Sequence, residues 1–101
     1  MYEKYLDNLE LREIVDKKGV NPHVQTLNEL KTFLETMHDI YIEIQIDKTT
    51  AAKFCFEVWK YEDFANWTRL DEREEFFLYL REEKCLADAL KIALNTLPNV
   101  R

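Results

Sequence analysis

The strongest constraint on the fold is a change of hydrophobic period near the middle of the chain. In "IYIEIQID", residues 40–47, four isoleucines alternate with one tyrosine and three polar residues, which is the two-residue period of a strand with one buried face. After a polar stretch, a second alternating run of phenylalanine and valine covers residues 51–61. Two adjacent alternating strands predict an antiparallel hairpin, whose apolar face must be covered by a third strand or a helix.

Two helices are predicted before this hairpin. Thr26 and Glu29 form a capping box, in which each side chain pairs with an amide that the first helical turn leaves unsatisfied. The apolar residues that follow have helical spacing: Leu27, Leu30, Leu34 and Met37. Upstream, helical spacing ends in two lysines and Gly19, a C-terminal signal that predicts the end of a first helix at about residue 18.

The segment from Asp71 to Leu97 admits two interpretations. Its high helix propensity favours one long helix. The compact run "EFFLYL" is more typical of a buried strand, and we prefer a third strand at about 75–80. A closing helix at about 85–97 then carries an apolar stripe and ends before Pro98.

These elements predict an α+β fold, specifically a two-layer sandwich. N-terminal helices precede a three-stranded antiparallel sheet at about 40–47, 51–61 and 75–80, and the helix at about 85–97 closes the chain. A length of 101 residues predicts a single domain over 1–101.

Charge and composition restrict the partners and the compartment. The 20 acidic and 14 basic side chains give a net charge of −6, which disfavours direct binding to nucleic acid or anionic lipid. No apolar run reaches the ~20 residues that a membrane helix needs, and the charged N-terminus does not resemble a signal peptide. Cys55 and Cys85 form no Cys-x-x-Cys motif. We expect two reduced thiols, a cytoplasmic location and no membrane association.

Residues for catalysis or metal binding are few. His23 and His38 are the chain's two histidines, and each is more typical of a solvated loop or a helix C-terminus than of a catalytic base. Cys55 shares a strand face with Glu57, and a carboxylate raises rather than lowers the pKa of a thiol. The sequence therefore predicts no catalytic, metal or cofactor site. A small cytoplasmic enzyme or ligand-binding domain using Cys55 or a histidine remains an alternative.

The best candidate for function is an aromatic and acidic segment after the second strand. Its aromatic members are Trp59, Tyr61, Phe64 and Trp67, and its acidic members are Asp71, Glu72 and Glu74. Rigid aromatics provide anchor area and carboxylates attract basic groups, so this segment predicts contact with a protein partner that has a basic surface. Two alternatives stay open: the aromatics fold back onto the core edge, or a sheet face with Tyr41, Cys55 and Trp59 forms a homodimer.

The order of "IYIEIQID", "AAKFCFEVW" and the closing helix "CLADALKIALNTL" resembles small α/β sandwich proteins of bacteriophages and prophages, the phage ABA sandwich group. The resemblance implies a phage accessory role and supplies no functional residues. From it we expect a non-enzymatic interaction module that binds and inhibits a host protein, such as a nucleic-acid-binding or defence protein. The closing helix also resembles the end of antitoxin folds, which makes an antitoxin-like partner domain a further alternative.

Overall fold

Three helices and a three-stranded antiparallel sheet make up the regular structure of the described residues. The computed structural model describes residues 4, 7–20, 23–48, 53–71 and 78–100. In chain order its elements are α1 (Leu9–Lys18), α2 (Leu27–His38), β1 (Ile40–Asp47), β2 (Lys53–Tyr61), β3 (Trp67–Arg69) and α3 (Glu82–Asn95). The strands follow the order β1-β2-β3, with β2 in the centre. The predicted α+β class with an antiparallel three-stranded sheet is confirmed.

Capping fixes the ends of the first two helices. The side chain of Asn8 accepts a hydrogen bond from Leu11 N at 3.2 Å, and Gly19 ends α1 at a left-handed φ of 65°. A side chain at Gly19 would also collide with Val100 of the C-terminal segment. The predicted capping box of α2 is present, since Thr26 and Glu29 exchange bonds of 3.3 and 3.1 Å. α1 therefore ends, and α2 begins, where the sequence signals indicate.

The hairpin of β1 and β2 has the predicted faces, and the structure gives its register. Ile42 lies opposite Val58, and Ile44 lies opposite Phe56. These side chains form one core with the helices, which contribute the buried residues Leu11, Val15, Leu27, Leu30, Leu34, Leu86, Leu90 and Leu94. Two residues of the apolar patterns lie outside the core. Ile46 near the end of β1 is 54% exposed, and Met37 in the last turn of α2 is 66% exposed. The apolar stripe predicted for α2 is therefore buried at Leu27, Leu30 and Leu34, whereas Met37 is exposed.

The third strand differs in position from the prediction of about 75–80. Trp67–Arg69 pairs with Trp59–Tyr61 through a short loop and is the third strand of the sheet. Of the predicted segment, residues 75–77 lie outside the described residues, and Tyr79 forms an isolated bridge with Phe54. Trp67, which the sequence placed in a connector, is thus a strand residue. Both segments lie along the edge of β2 that faces away from β1, because the backbone groups of Phe54 and Val58 pair there with Tyr79 and Leu70.

The closing helix begins at Glu82, ahead of the predicted start at residue 85, and ends at Asn95. Glu82 and Glu83 occupy its first turn, where the positive end of the helix dipole favours carboxylates. The predicted start at residue 85 left these two glutamates outside the helix, whereas they form its first turn.

An ionic network joins α1, α3 and β2. Lys91 Nζ lies 2.8 Å from Glu10 Oε2 and 3.5 Å from Asp88 Oδ1. Asp88 also accepts a hydrogen bond of 2.9 Å from the hydroxyl of Tyr79. Tyr79 in turn exchanges two backbone bonds of 2.7 Å with Phe54. The network therefore connects α1 with α3 and, through Tyr79, with β2.

The ion pair shifts the pKa values of Glu10 and Lys91 in opposite directions. The hydrogen bond and charge of Lys91 lower the pKa of Glu10 below its ordinary value of 4.5. Burial alone lowers the pKa of Lys91, but the hydrogen bond to Glu10 and the charge of Asp88 outweigh it and raise the pKa above 10.5. The stabilisation from Glu10 is present above pH 4.5 and is lost as the pH falls through its folded pKa.

We expect Glu10→Gln to lower the melting temperature at pH 7, because it removes the nearer of the two carboxylate partners of Lys91. The difference from the wild type should shrink as the pH falls from 4.5 towards the lowered pKa of Glu10, and it should vanish below that pKa, where the wild-type carboxyl is protonated in the folded protein as well. Thermal unfolding of both proteins between pH 7 and pH 3 measures this. Glu13→Gln, an exposed change on the same helix, is the matched control. A difference that stays constant over this range would contradict the assigned ion pair.

Candidate functional site

The sheet has a second face, opposite the helical core, that carries four aromatic side chains. Tyr41 lies opposite Trp59, and Tyr61 lies opposite Trp67, so alternation places all four on this side. We call Tyr41, Trp59, Tyr61 and Trp67 the aromatic face. Trp59 and Tyr61 are half-buried, whereas Tyr41 and Trp67 are exposed. The aromatic face therefore combines packed rings with rings that a partner could reach.

Trp67 holds the aromatic face together. Its ring makes edge contacts with Tyr41 and with Tyr61, each at a centroid distance of 5.2 Å. Such T-shaped pairs contribute about 0.5–1.5 kcal/mol each beyond the area they bury. Since Tyr41 belongs to β1 and Trp67 to β3, the indole spans the central strand. It is still 47% exposed, which leaves a preformed and rigid aromatic surface.

Trp59 is held by charged neighbours. Its indole nitrogen donates to Glu57 Oε2 at 2.9 Å, and the guanidinium of Arg69 lies 5.8 Å from its ring centroid. Arg69 also approaches Glu57 at 3.9 Å. The indole N–H of Trp59 thus has a hydrogen-bond acceptor, and one face of its ring has a cation, within the protein.

Asp71 supports the sheet and does not belong to the exposed surface. Leu70 N donates to Val58 O at 2.8 Å, and Val58 N donates to Asp71 Oδ1 at 2.9 Å. The carboxylate takes the place of the next strand carbonyl and also binds Arg69 through bonds of 3.0 and 3.3 Å. With 2% exposure, Asp71 is not accessible to a partner. Glu72 and Glu74, the other acidic residues of the predicted surface, lie outside the described residues.

Phe64 stands at the tip of the loop between β2 and β3. Asn66 N donates to Asp63 O at 2.7 Å, which closes the turn. The two central residues, Phe64 and Ala65, have φ values of 44° and 66°. Hairpin turns of this kind usually contain Asn and Gly, because other residues cost about 1–2 kcal/mol in the left-handed region. The phenylalanine is also 92% exposed, so neither its backbone nor its side chain favours the folded monomer.

A groove follows the outer edge of β1, between this strand and α2. One part has a volume of about 480 Å³ and reaches the aromatic face; it is lined by Glu35, Tyr41, Ile42, Glu43, Trp59 and Trp67. A second part, of about 430 Å³, is lined by Asn28, Lys31, Ile42, Glu43, Ile44 and Glu82. Ile42 and Glu43 are common to both parts, so together they form what we call the edge groove. Aromatic rings and carboxylates in one groove suit a cationic side chain.

The candidate residues for catalysis are placed on separate elements. Cys55 is buried, with its sulfur 4.0 Å from Gln45 Oε1, and Cys85 lies in the helical core. His23 lies in the connector before α2 with a φ of 50°, and His38 packs its ring edge against Phe33 at 5.6 Å. In the described ranges, no three metal-binding side chains are grouped closely enough to hold an ion. Use of Cys55 or a histidine by an enzyme stays a prediction.

Sequence reasoning did not find Glu35 and Glu43 as parts of the candidate site. Glu43 follows Tyr41 by two residues in an alternating strand, so the period alone indicates that they share a face. Glu35 is on a helix, and its position beside the aromatic face depends on how α2 folds back along β1. No local pattern reveals that approach.

Comparison with protein-family models, with curated proteins and with solved structures finds no match to this chain. The resemblance to phage sandwich proteins therefore stays a prediction. None of the helices in the described part of the chain is both long and apolar enough to cross a bilayer.

We expect Asp71→Ala to lower the free energy of unfolding by about 1–3 kcal/mol, because it leaves the buried amide of Val58 without an acceptor. Asp71→Asn keeps an oxygen at this position and should cost less than half as much. Urea unfolding of the three proteins measures both changes. Equal stability of the alanine variant and the wild type would contradict the structural role of this carboxylate.

We expect Phe64→Asn to raise the free energy of unfolding by about 0.5–1 kcal/mol, since asparagine tolerates a positive φ and the phenylalanine ring buries little area. Phe64→Ala retains the backbone strain and should leave the stability within about 0.5 kcal/mol of the wild type. Urea unfolding distinguishes the two. A loss of more than 1 kcal/mol in both variants would mean that the phenylalanine packs against the domain.

Proposed function

We propose that this chain is a non-enzymatic protein-interaction module that binds its partner through the aromatic face and the Phe64 tip. The observation that carries the proposal is Phe64, which is 92% exposed at a strained φ of 44°. Both features disfavour the isolated monomer. A phenylalanine gains free energy at such a position when a partner buries it.

The aromatic face supports the same proposal. Trp67 and Tyr41 are exposed and held by ring contacts, so little side-chain entropy is lost when a partner covers them. Interface energy is usually concentrated in a few aromatic anchors surrounded by polar residues. Glu62 and Asp63 flank Phe64 in the loop and would form such a polar rim.

The charge of the chain favours a basic partner surface. The net charge is −6, and Glu43 and Glu57 lie on the same side of the sheet as the aromatic rings. Carboxylates beside a binding surface steer and pair with lysine or arginine on the other protein. The resemblance to phage sandwich proteins suggests the biological setting of this proposal: an accessory protein that inhibits a host nucleic-acid-binding or defence protein.

Affinity capture from a bacterial lysate tests the proposal when it is performed with matched variants. The immobilised wild type is compared with Phe64→Asn and Trp67→Ala, and circular dichroism confirms that each variant is folded. Met37→Ala is the control, because Met37 is a large exposed residue in a different groove along α2. We expect Phe64→Asn and Trp67→Ala each to reduce the amount of captured partner at least tenfold, which corresponds to about 1.4 kcal/mol.

The Met37→Ala control should capture the same protein as the wild type. Capture that is unchanged by Phe64→Asn and by Trp67→Ala would contradict the proposed surface.

A further inference from the structure

We propose that the edge groove binds an extended, lysine- or arginine-bearing segment of a partner protein, which adds to β1 as a fourth strand. This inference rests on the proposed interaction function and specifies the chemistry and the conformation of what is bound. It uses three features of the structure: the open hydrogen-bonding edge of β1, the space beside it, and the charges that line that space.

The first feature is the direction of the backbone groups of β1. Tyr61 N donates to Asp39 O at 2.9 Å, which marks this pair as hydrogen-bonded. In an antiparallel ladder such pairs recur at every second residue, so Tyr41, Glu43 and Gln45 face β2 with their backbone groups. The amides and carbonyls between them point away from β2; they belong to Ile40, Ile42, Ile44 and Ile46. Within the described residues, no backbone group pairs with them.

The second feature is that the space beside this edge has the shape of a slot. Ile42, whose backbone groups point outward, lines both parts of the edge groove, and Ile44 lines the second part. The opposite wall is one side of α2, where Asn28, Lys31 and Glu35 are three and four residues apart. A strand edge with a helix alongside can hold an extended peptide by main-chain bonds, while the walls contact its side chains.

The third feature is the charge of the groove. Three glutamates line it, namely Glu35, Glu43 and Glu82. Its one lysine, Lys31, is paired with Glu35 at 2.9 Å. On the aromatic side, a cation of an added strand would meet the carboxylate of Glu43 and the rings of Tyr41 and Trp67. The groove therefore favours positive side chains at alternate positions of the bound segment.

The same charges disfavour a second copy of this chain as the occupant. Pairing of β1 with its own copy brings two proteins of charge −6 together. In the register centred on Glu43, the two carboxylates would lie directly opposite each other, which destabilises a strand pair. The glutamates of the edge groove attract a basic segment, whereas they repel the acidic surface of a second copy.

A labelled synthetic peptide tests the inference directly. Fluorescence anisotropy with acetyl-"TKVRVKT"-amide should show saturable binding that weakens at least tenfold between 50 and 500 mM salt. The acidic peptide "TEVEVET" should not bind. Glu43→Gln should weaken binding at least fivefold, whereas Glu13→Gln, the same change on an exposed site of α1, should leave it unchanged.

N-methylation distinguishes strand addition from simple charge attraction. In antiparallel pairing, the valines of the peptide lie opposite Ile42 and Ile44 and exchange main-chain bonds with them. Methylation of the valine amides should therefore abolish binding, and methylation of the lysine and arginine amides should preserve it. The reverse pattern would support a parallel added strand. Equal effects of the two methylated peptides, or no binding of the parent peptide, would overturn the inference.

The outcome is separable from that of the proposed function. Phe64→Asn should not change peptide binding, because Phe64 does not line the edge groove. If the peptide fails while capture still depends on Phe64 and Trp67, the strand addition is wrong and the interaction surface stands. If the wild type is a dimer by light scattering at micromolar concentration and the peptide does not bind, the inference is overturned.

Discussion

The helix α3 packs against one face of the β1 and β2 hairpin, and this contact organises the core. Leu86, Leu90 and Leu94 of this helix are fully buried together with Phe56 and Val58 of the sheet. Each buried leucine or phenylalanine contributes about 1.5–3 kcal/mol. Because strand alternation provides one such apolar face, the helices gather there. The aromatic face is what the same alternation places on the other side.

The way the sheet is completed determines which edge stays open. The far edge of β2 is covered by β3, by the carboxylate of Asp71 at Val58, and by the bridge of Tyr79 to Phe54. These contacts pair the backbone groups that β2 directs away from β1. The outer edge of β1 has no equivalent among the described residues, and it borders the groove in which carboxylates and aromatic rings meet. The open edge of β1 and the aromatic face therefore meet at the edge groove.

Much of the fold could be predicted from local patterns, and the site could be predicted in part. Alternation identified the hairpin and its core face, and the pair Thr26 and Glu29 identified the start of α2. The third strand was misplaced because Trp67–Arg69 is a three-residue strand, too short for a period to be visible, and because it pairs through a loop with two strained residues. Asp71 looked like a surface carboxylate, since its role depends on a contact with Val58 thirteen residues away.

Amide hydrogen exchange along β1 in the free protein measures whether the outer edge of this strand is open. If β1 is an open edge above a helical core, the amides of Glu43 and Gln45, which face β2, exchange slowly. The amides of Ile42 and Ile44, which point away from β2, should exchange at least a hundredfold faster despite lying in the same strand. Equal protection of all four amides would contradict an open edge, because it would mean that the outer edge of β1 is already covered.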